Sequence, residues 1–180
     1  MNAYQLRRVT RLARVLHVVS TLTMILMPAF LIYSAFIGLA GETALQREYD
    51  DYVLPEVIPT WTVIVVRLIQ MLGFALILYV LWQMRQLFAL YTGGETLSQR
   101  CADRIRRCGQ GLVTIGAFGI LSNTLIVLLL TTVNVTGPQT LVVTFSEGDV
   151  GFFLGGGLMV VIGWVMGEAA RIAEDNRGFV

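Results

Sequence analysis

Residues 61–82 read WTVIVVRLIQMLGFALILYVLW. One charged side chain, Arg67, occurs in that stretch, and a tryptophan stands at each end. As a helix the segment is about 33 Å long, close to the hydrocarbon thickness of a bilayer. Tryptophans at both ends suit the two membrane interfaces. Three more apolar runs of this kind follow the same reading, at about 15–40, 112–133 and 150–167. The first contains Pro28, which predicts a kink. The last becomes amphipathic through EAARIAEDN, residues 168–176, and is expected to leave the membrane as the same helix.

The composition agrees. Of 180 residues, 56% are apolar and 14% charged. Soluble domains run at roughly 45–50% and roughly 25%. Mean hydropathy is +0.71. A soluble enzyme, a disordered chain and a disulfide scaffold are excluded. The loops are short, so a separate soluble domain is not expected. Arg7, Arg8, Arg11 and Arg14 resemble the basic start of a signal peptide. A signal core is only about 7–15 residues, and the first run is much longer, so we expect it to stay as a span.

All 13 basic residues are arginine. Eleven fall in the N-terminal segment, in the loop between spans two and three, and in the tail. The loop between spans one and two has only Arg47, against five carboxylates. The loop between spans three and four has none. Basic loops stay in the cytoplasm. The sequence therefore predicts both termini and the central loop inside, in the cytoplasmic (inner) membrane of a bacterium. The fold expected is an all-α, four-helix integral membrane bundle forming one domain.

The loop between spans two and three carries more pattern. Gly93-Gly94 should stop the second helix, and Thr96 with Gln99 fits a capping box that opens a new one. On that helix Leu97, Cys101, Ile105 and Cys108 share a face, with Arg100, Arg104 and Arg107 beside it. This predicts an amphipathic cytoplasmic helix in the headgroup layer, its arginines on lipid phosphates or on a partner. Cys101 and Cys108 lie about 10 Å apart along the axis, too far for a disulfide within the helix. They read as packed apolar side chains.

The outer segments are plainer. The stretch 41–61 is acidic without calcium-loop spacing and reads as a solvated loop. Leu141 to Phe145, LVVTF, is β-prone and predicts a small ribbon on the outer face. Ser146 and Asp149 form a second capping box, at the head of span four.

Polar residues inside spans are the candidate sites. Arg67 should snorkel outward and meet an acidic group, with Asp149 as first choice and Glu56 as second. Arg67, Asn123 and Asp149 make the candidate intramembrane polar site. Ser122, Asn123 and Thr124 read as bonds between helices. His17 reads as an interfacial residue, because no second axial ligand accompanies it. Gly151, Gly155, Gly163 and Gly167 share an i+4 ridge, on which a helix of the same or a second copy can approach closely.

Three segments carry a resemblance. They are LFALYTGGETLSQRCADRIRRCGQGL, FSEGD before the last span, and the ending GEAARIAEDNRGFV. The pattern resembles the bacterial membrane family called "domain of unknown function 2975". Its central loop, G-x-x-(F/L)-S…R-(I/L)-R-x-x-G, falls on Gly94, Leu97, Ser98, Arg104, Ile105, Arg106 and Gly109. Its tail falls on Ala169, Ile172, Glu174, Asp175 and Asn176. Leu97 stands where phenylalanine is common. The resemblance runs from about Trp61 to the end. It implies a four-span topology and no activity. Relatives that lie beside a small helix-turn-helix regulator imply a regulatory membrane role.

With one histidine, no lysine and no C-x-x-C pair, we expect no catalytic, metal or cofactor site. The expected function is that of a non-enzymatic bacterial membrane protein acting through a protein partner. It would modulate a membrane complex or tether a cytoplasmic regulator. Arg100, Arg104 and Arg107 would be its partner or lipid surface. Expected partners are the bilayer, a membrane or cytoplasmic protein, and a second copy of the chain. Direct nucleic-acid binding is not expected. The alternative is a subunit of an oligomeric small-solute transporter or channel, with Arg67 and Asn123 along the path.

Overall fold

Long apolar runs with few breakers make long helices, and this chain is almost nothing else. The computed structural model describes residues 3–36, 41–49, 58–95, 98–133 and 146–177. Among the described residues five helices follow in order: α1 (Ala3–Phe36), α2 (Glu42–Glu48), α3 (Thr60–Thr92), α4 (Gln99–Val133) and α5 (Glu147–Arg177). α1, α3, α4 and α5 are long and apolar enough to cross a membrane. The ribbon expected at Leu141 to Phe145 lies outside the described residues.

Local chemistry sets the ends. Pro59 precedes α3. Gly93 ends it, and Gly94 adopts φ +84°, a conformation glycine takes at little cost. α4 opens on Ser98, whose Oγ accepts from the backbone N–H of Cys101 at 3.3 Å. The expected Thr96–Gln99 box rests on Thr96, which lies outside the described residues. α5 opens on the expected box. Ser146 N–H and Oγ donate to Asp149 Oδ2 at 3.1 and 2.8 Å, and Asp149 N–H donates back to Ser146 Oγ at 3.2 Å.

The packing gives the expected four long helices a particular order. α1 packs on α3, α3 on α4, and α4 on α5. Among the described residues α1 does not meet α5 and α3 does not meet α5. The four long helices therefore stand in an open row with α1 and α5 at its edges. In a membrane the apolar effect does not drive helices together, because lipid is as apolar as leucine. Helices approach most closely where small or polar residues match. The bulky outer faces of α1 and α5, such as Phe30 and Leu154, offer no such match and stay exposed.

The tightest seam joins α4 to α5. Ala102, Gly109 and Gly116 stand seven apart on α4, and Gly156 and Gly163 seven apart on α5. A Cβ on Gly109 would lie 2.6 Å from the carbonyl oxygen of Gly156. One on Gly163 would lie 3.0 Å from that of Ala102. Gly167 joins this seam, against the Gln99 side chain. Gly151 and Gly155 do not: nothing lies within 4 Å of either Cβ position. Within one chain only Gly163 and Gly167 of the expected ridge meet a neighbouring helix. Four-residue steps from 151 to 167 wind about 160° around the helix, so the two ends cannot face one neighbour. Seven-residue steps drift only about 20° each and stay on the seam.

Two corrections concern the loops. The amphipathic stretch between spans two and three is no separate helix. It is the first turns of α4, continuous with span three. Gly109 and Gly111 look like breakers, but each is held in the helix by a close neighbour, Gly156 and Val80 respectively. The acidic stretch after span one is more than a solvated loop, because it contains α2. Leu45 of α2 is fully buried, packed with Ile58, Val66, Ile126 and Leu130.

Candidate functional site

The open row leaves a groove wherever two helices flank a third without touching. α3 and α5 flank α4 in this way near the α5 N-terminus, bounding an open cavity of about 410 Å³. Its polar lining is Glu48, Arg67, Gln70, Ser122 and Asp149. Arg67 Nη1 donates to Gln70 Oε1 at 2.6 Å and meets Glu48 Oε2 at 3.4 Å. Gln70 Nε2 donates to Glu48 Oε1 at 2.8 Å. The three side chains close a ring.

The ring corrects the expected pairing. Arg67 meets Glu48, not Asp149; Glu56 lies outside the described residues. The physical reason is α2. Leu45 anchors that short helix and brings Glu48, three residues on, over α3. Asp149 is engaged instead by Ser146 in the helix cap. Its Oδ1 lies against α4 at Gly119, where a Cβ would collide with it. The cavity therefore does bring Arg67 and Asp149 together, though not into contact. Asn123 is half-buried and does not line it; Ser122 does.

The expected bonds between helices at Ser122 and Thr124 are not there. Ser122 Oγ donates to the carbonyl of Gly119, and Thr124 Oγ1 to that of Ile120, within α4 itself. A hydroxyl one turn on from a carbonyl finds it without any neighbour. Polar bonds between long helices come from elsewhere. Arg85 Nε donates to Thr21 Oγ1 at 3.1 Å, tying α3 to α1.

At the opposite end α3 turns into α4, and the arginines gather there. Arg100, Arg104 and Arg107 line a polar pocket of about 400 Å³ with Gln86, Leu90 and Asp103. Arg104 Nη1 donates to Oε1 of buried Gln83 at 2.6 Å, and its guanidinium stands 6.0 Å from the Trp82 ring. Gln83 could not be singled out beforehand, because one amide in an apolar run carries no pattern. Asp103 pairs with Arg106 at 3.4 Å, so its charge is largely engaged. The pocket is left strongly positive. Behind it Cys101 and Ile105 are buried with Leu87, and Cys108 is buried too, as the shared face predicted.

Residues 38–177 match the family described as "Protein of unknown function (DUF2975)". The chain belongs to this family. The match takes in α2 through α5 and begins just after α1, so it holds the α4–α5 seam, the Glu48–Arg67–Gln70 ring and the arginine pocket. It extends the resemblance, which the sequence carried only from about Trp61, back across α2. No curated protein and no solved structure matches the chain. The DUF2975 assignment thus supplies a family and a frame, and the chemistry must come from the geometry.

Proposed function

We propose that the protein is a non-enzymatic, multi-pass protein of the bacterial inner membrane that acts through a protein partner. Both termini and the α3–α4 turn lie in the cytoplasm. The partner is a membrane complex that it modulates or a cytoplasmic regulator that it tethers. The observation that carries this reading is the arginine pocket at the α3–α4 turn. Arg100, Arg104 and Arg107 converge there with a single acid, Asp103, whose charge Arg106 already meets. Such a surface suits an acidic segment of another protein. Its rim position fits contacts that set specificity and association rate more than raw affinity. A non-enzymatic role is supported by the employment of the carboxylates: Asp149 caps a helix, while Glu48 and Glu168 pair with arginines.

Two measurements test it. Orientation is read by single-cysteine labelling in intact cells, on a background lacking Cys101 and Cys108. A cysteine at position 139 should react with an impermeant maleimide, and one at 107 should not; the reverse result ends the topology. For the partner, a photo-crosslinking residue at position 100 or 107 should give one discrete protein adduct. Adducts with lipid alone would defeat the partner reading. A melting temperature that instead responds to one small solute would favour the transporter or channel alternative.

A further inference from the structure

We propose that the cavity between α3, α4 and α5 binds a lipophilic cation, with the charge beside Asp149 and the apolar body along α3. The site is separate from the arginine pocket and stands whether or not that pocket takes a partner.

Three observations lead there. The first is shape. The cavity follows α3 from Arg67 to Ile77, ten residues and so about 15 Å. Its α3 wall is polar at Arg67 and Gln70 and apolar from Gly73 to Ile77, and Asp149 stands beside Gly119, next to the Phe118 that packs on Gly73, which fits an amphiphile better than a small polar solute. The second is charge. Among the described residues lining it are two carboxylates, Glu48 and Asp149, and one guanidinium, Arg67. Glu48 and Arg67 pair with each other. Asp149 is left as the carboxylate in excess, its Oδ2 in the helix cap and its Oδ1 turned toward Gly119 on the cavity wall. The third is the wall itself. Phe74, Phe118 and Phe152 contribute one ring each from α3, α4 and α5. Ring faces attract cations, more strongly where water is excluded. Anions gain nothing from such faces.

The glycines make the room. Gly73 lets the Phe118 ring lie across onto α3, with its edge 3.2 Å from where a Cβ would stand. Gly119 admits the Asp149 carboxylate to the surface of α4. Larger residues at either place would displace a ring or the charge from the cavity.

The probe is radiolabelled tetraphenylphosphonium, titrated against the full chain in phosphatidylcholine nanodiscs with empty discs as the blank. We expect a saturable component of about one cation per chain. Dodecyltrimethylammonium should displace it, and neutral dodecanol at the same membrane concentration should not. Asp149→Asn should weaken binding at least tenfold, and Phe118→Leu severalfold. Ser146→Ala removes the two Oγ bonds of the same helix cap but keeps the carboxylate, so it should bind as the parent does. That comparison separates the charge from the fold. Absence of a saturable component over empty discs overturns the proposal. So does equal displacement by dodecanol, which would mark the cavity as a berth for any acyl chain. Equal weakening by Ser146→Ala and Asp149→Asn would also overturn it, by assigning the effect to the cap.

Discussion

Gly156→Leu should part α4 from α5 and cost the fold about 3 kcal/mol or more, at the upper end of what overpacking usually costs. The Cβ alone would stand 2.7 Å from the carbonyl oxygen of Gly109 and 2.8 Å from the backbone nitrogen of Val113. Both neighbours are backbone, so neither can swing aside. Relief requires the two helices to separate, and the small-residue contacts on either side of Gly156 are lost with it. Gly155→Leu is the matched control. It adds the same side chain one residue away, where nothing lies within 4 Å of the Cβ position. Thermal unfolding in nanodiscs should show a fall of roughly 5–10 °C for Gly156→Leu and little change for Gly155→Leu. Equal melting of the two variants would dismiss the seam as the determinant of α4–α5 pairing. A large loss for Gly155→Leu alone would instead restore the i+4 ridge, through contact with a second copy.

The second large effect is expected at Leu45. This side chain is wholly buried among residues from three places: Ile58 just before α3, Val66 within it, and Ile126 and Leu130 of α4. Truncating a buried leucine costs about 2–5 kcal/mol, depending on how far the site collapses. Leu45→Ala should fall in that range. It should also act on Arg67, because α2 is a seven-residue helix with Leu45 as its buried anchor and Glu48 as its charge. Once α2 lifts, Glu48 leaves the ring. Leu45→Ala and Glu48→Gln should therefore overlap, and the double variant should lose at least about 0.5 kcal/mol less than the two singles together. Strict additivity would show that α2 holds Glu48 without its anchor.

What the sequence tells, and what it hides, follows from the range of each interaction. The four long helices are legible because each is a continuous apolar run, a property of one segment alone. The stop at Gly93 and Gly94 and the start at Ser146 are equally local. The cap at Ser98 was passed over because Thr96–Gln99 offers the same spacing. α2 was hidden by its length, since seven residues give too few turns for a period to show. Glu48 could not be read as a partner of Arg67, for it is near in space only because α2 exists. The seam was misread for a different reason. An i+4 stripe is easy to see in one helix, whereas the helix beside it decides which glycines matter. The seven-residue recurrence of Ala102, Gly109 and Gly116 on α4, set against Gly156 and Gly163 on α5, carried that information in the pair. The row itself could not be read from any one segment, because it depends on which faces fail to find a neighbour.

The ring of Glu48, Arg67 and Gln70 also bears on how the chain is made. All three residues precede α4 in the order of synthesis. Had Arg67 depended on Asp149, it would have entered the bilayer with its counter-charge still some eighty residues from being translated. Glu48 leaves the ribosome before Arg67 does, and Gln70 follows within one helical turn. Both partners of the arginine are thus already made when α3 is inserted, and α4 later adds Ile126 and Leu130 to the anchor that holds α2 in place. The counter-charge of Arg67 therefore does not wait for α5, the last helix to be made.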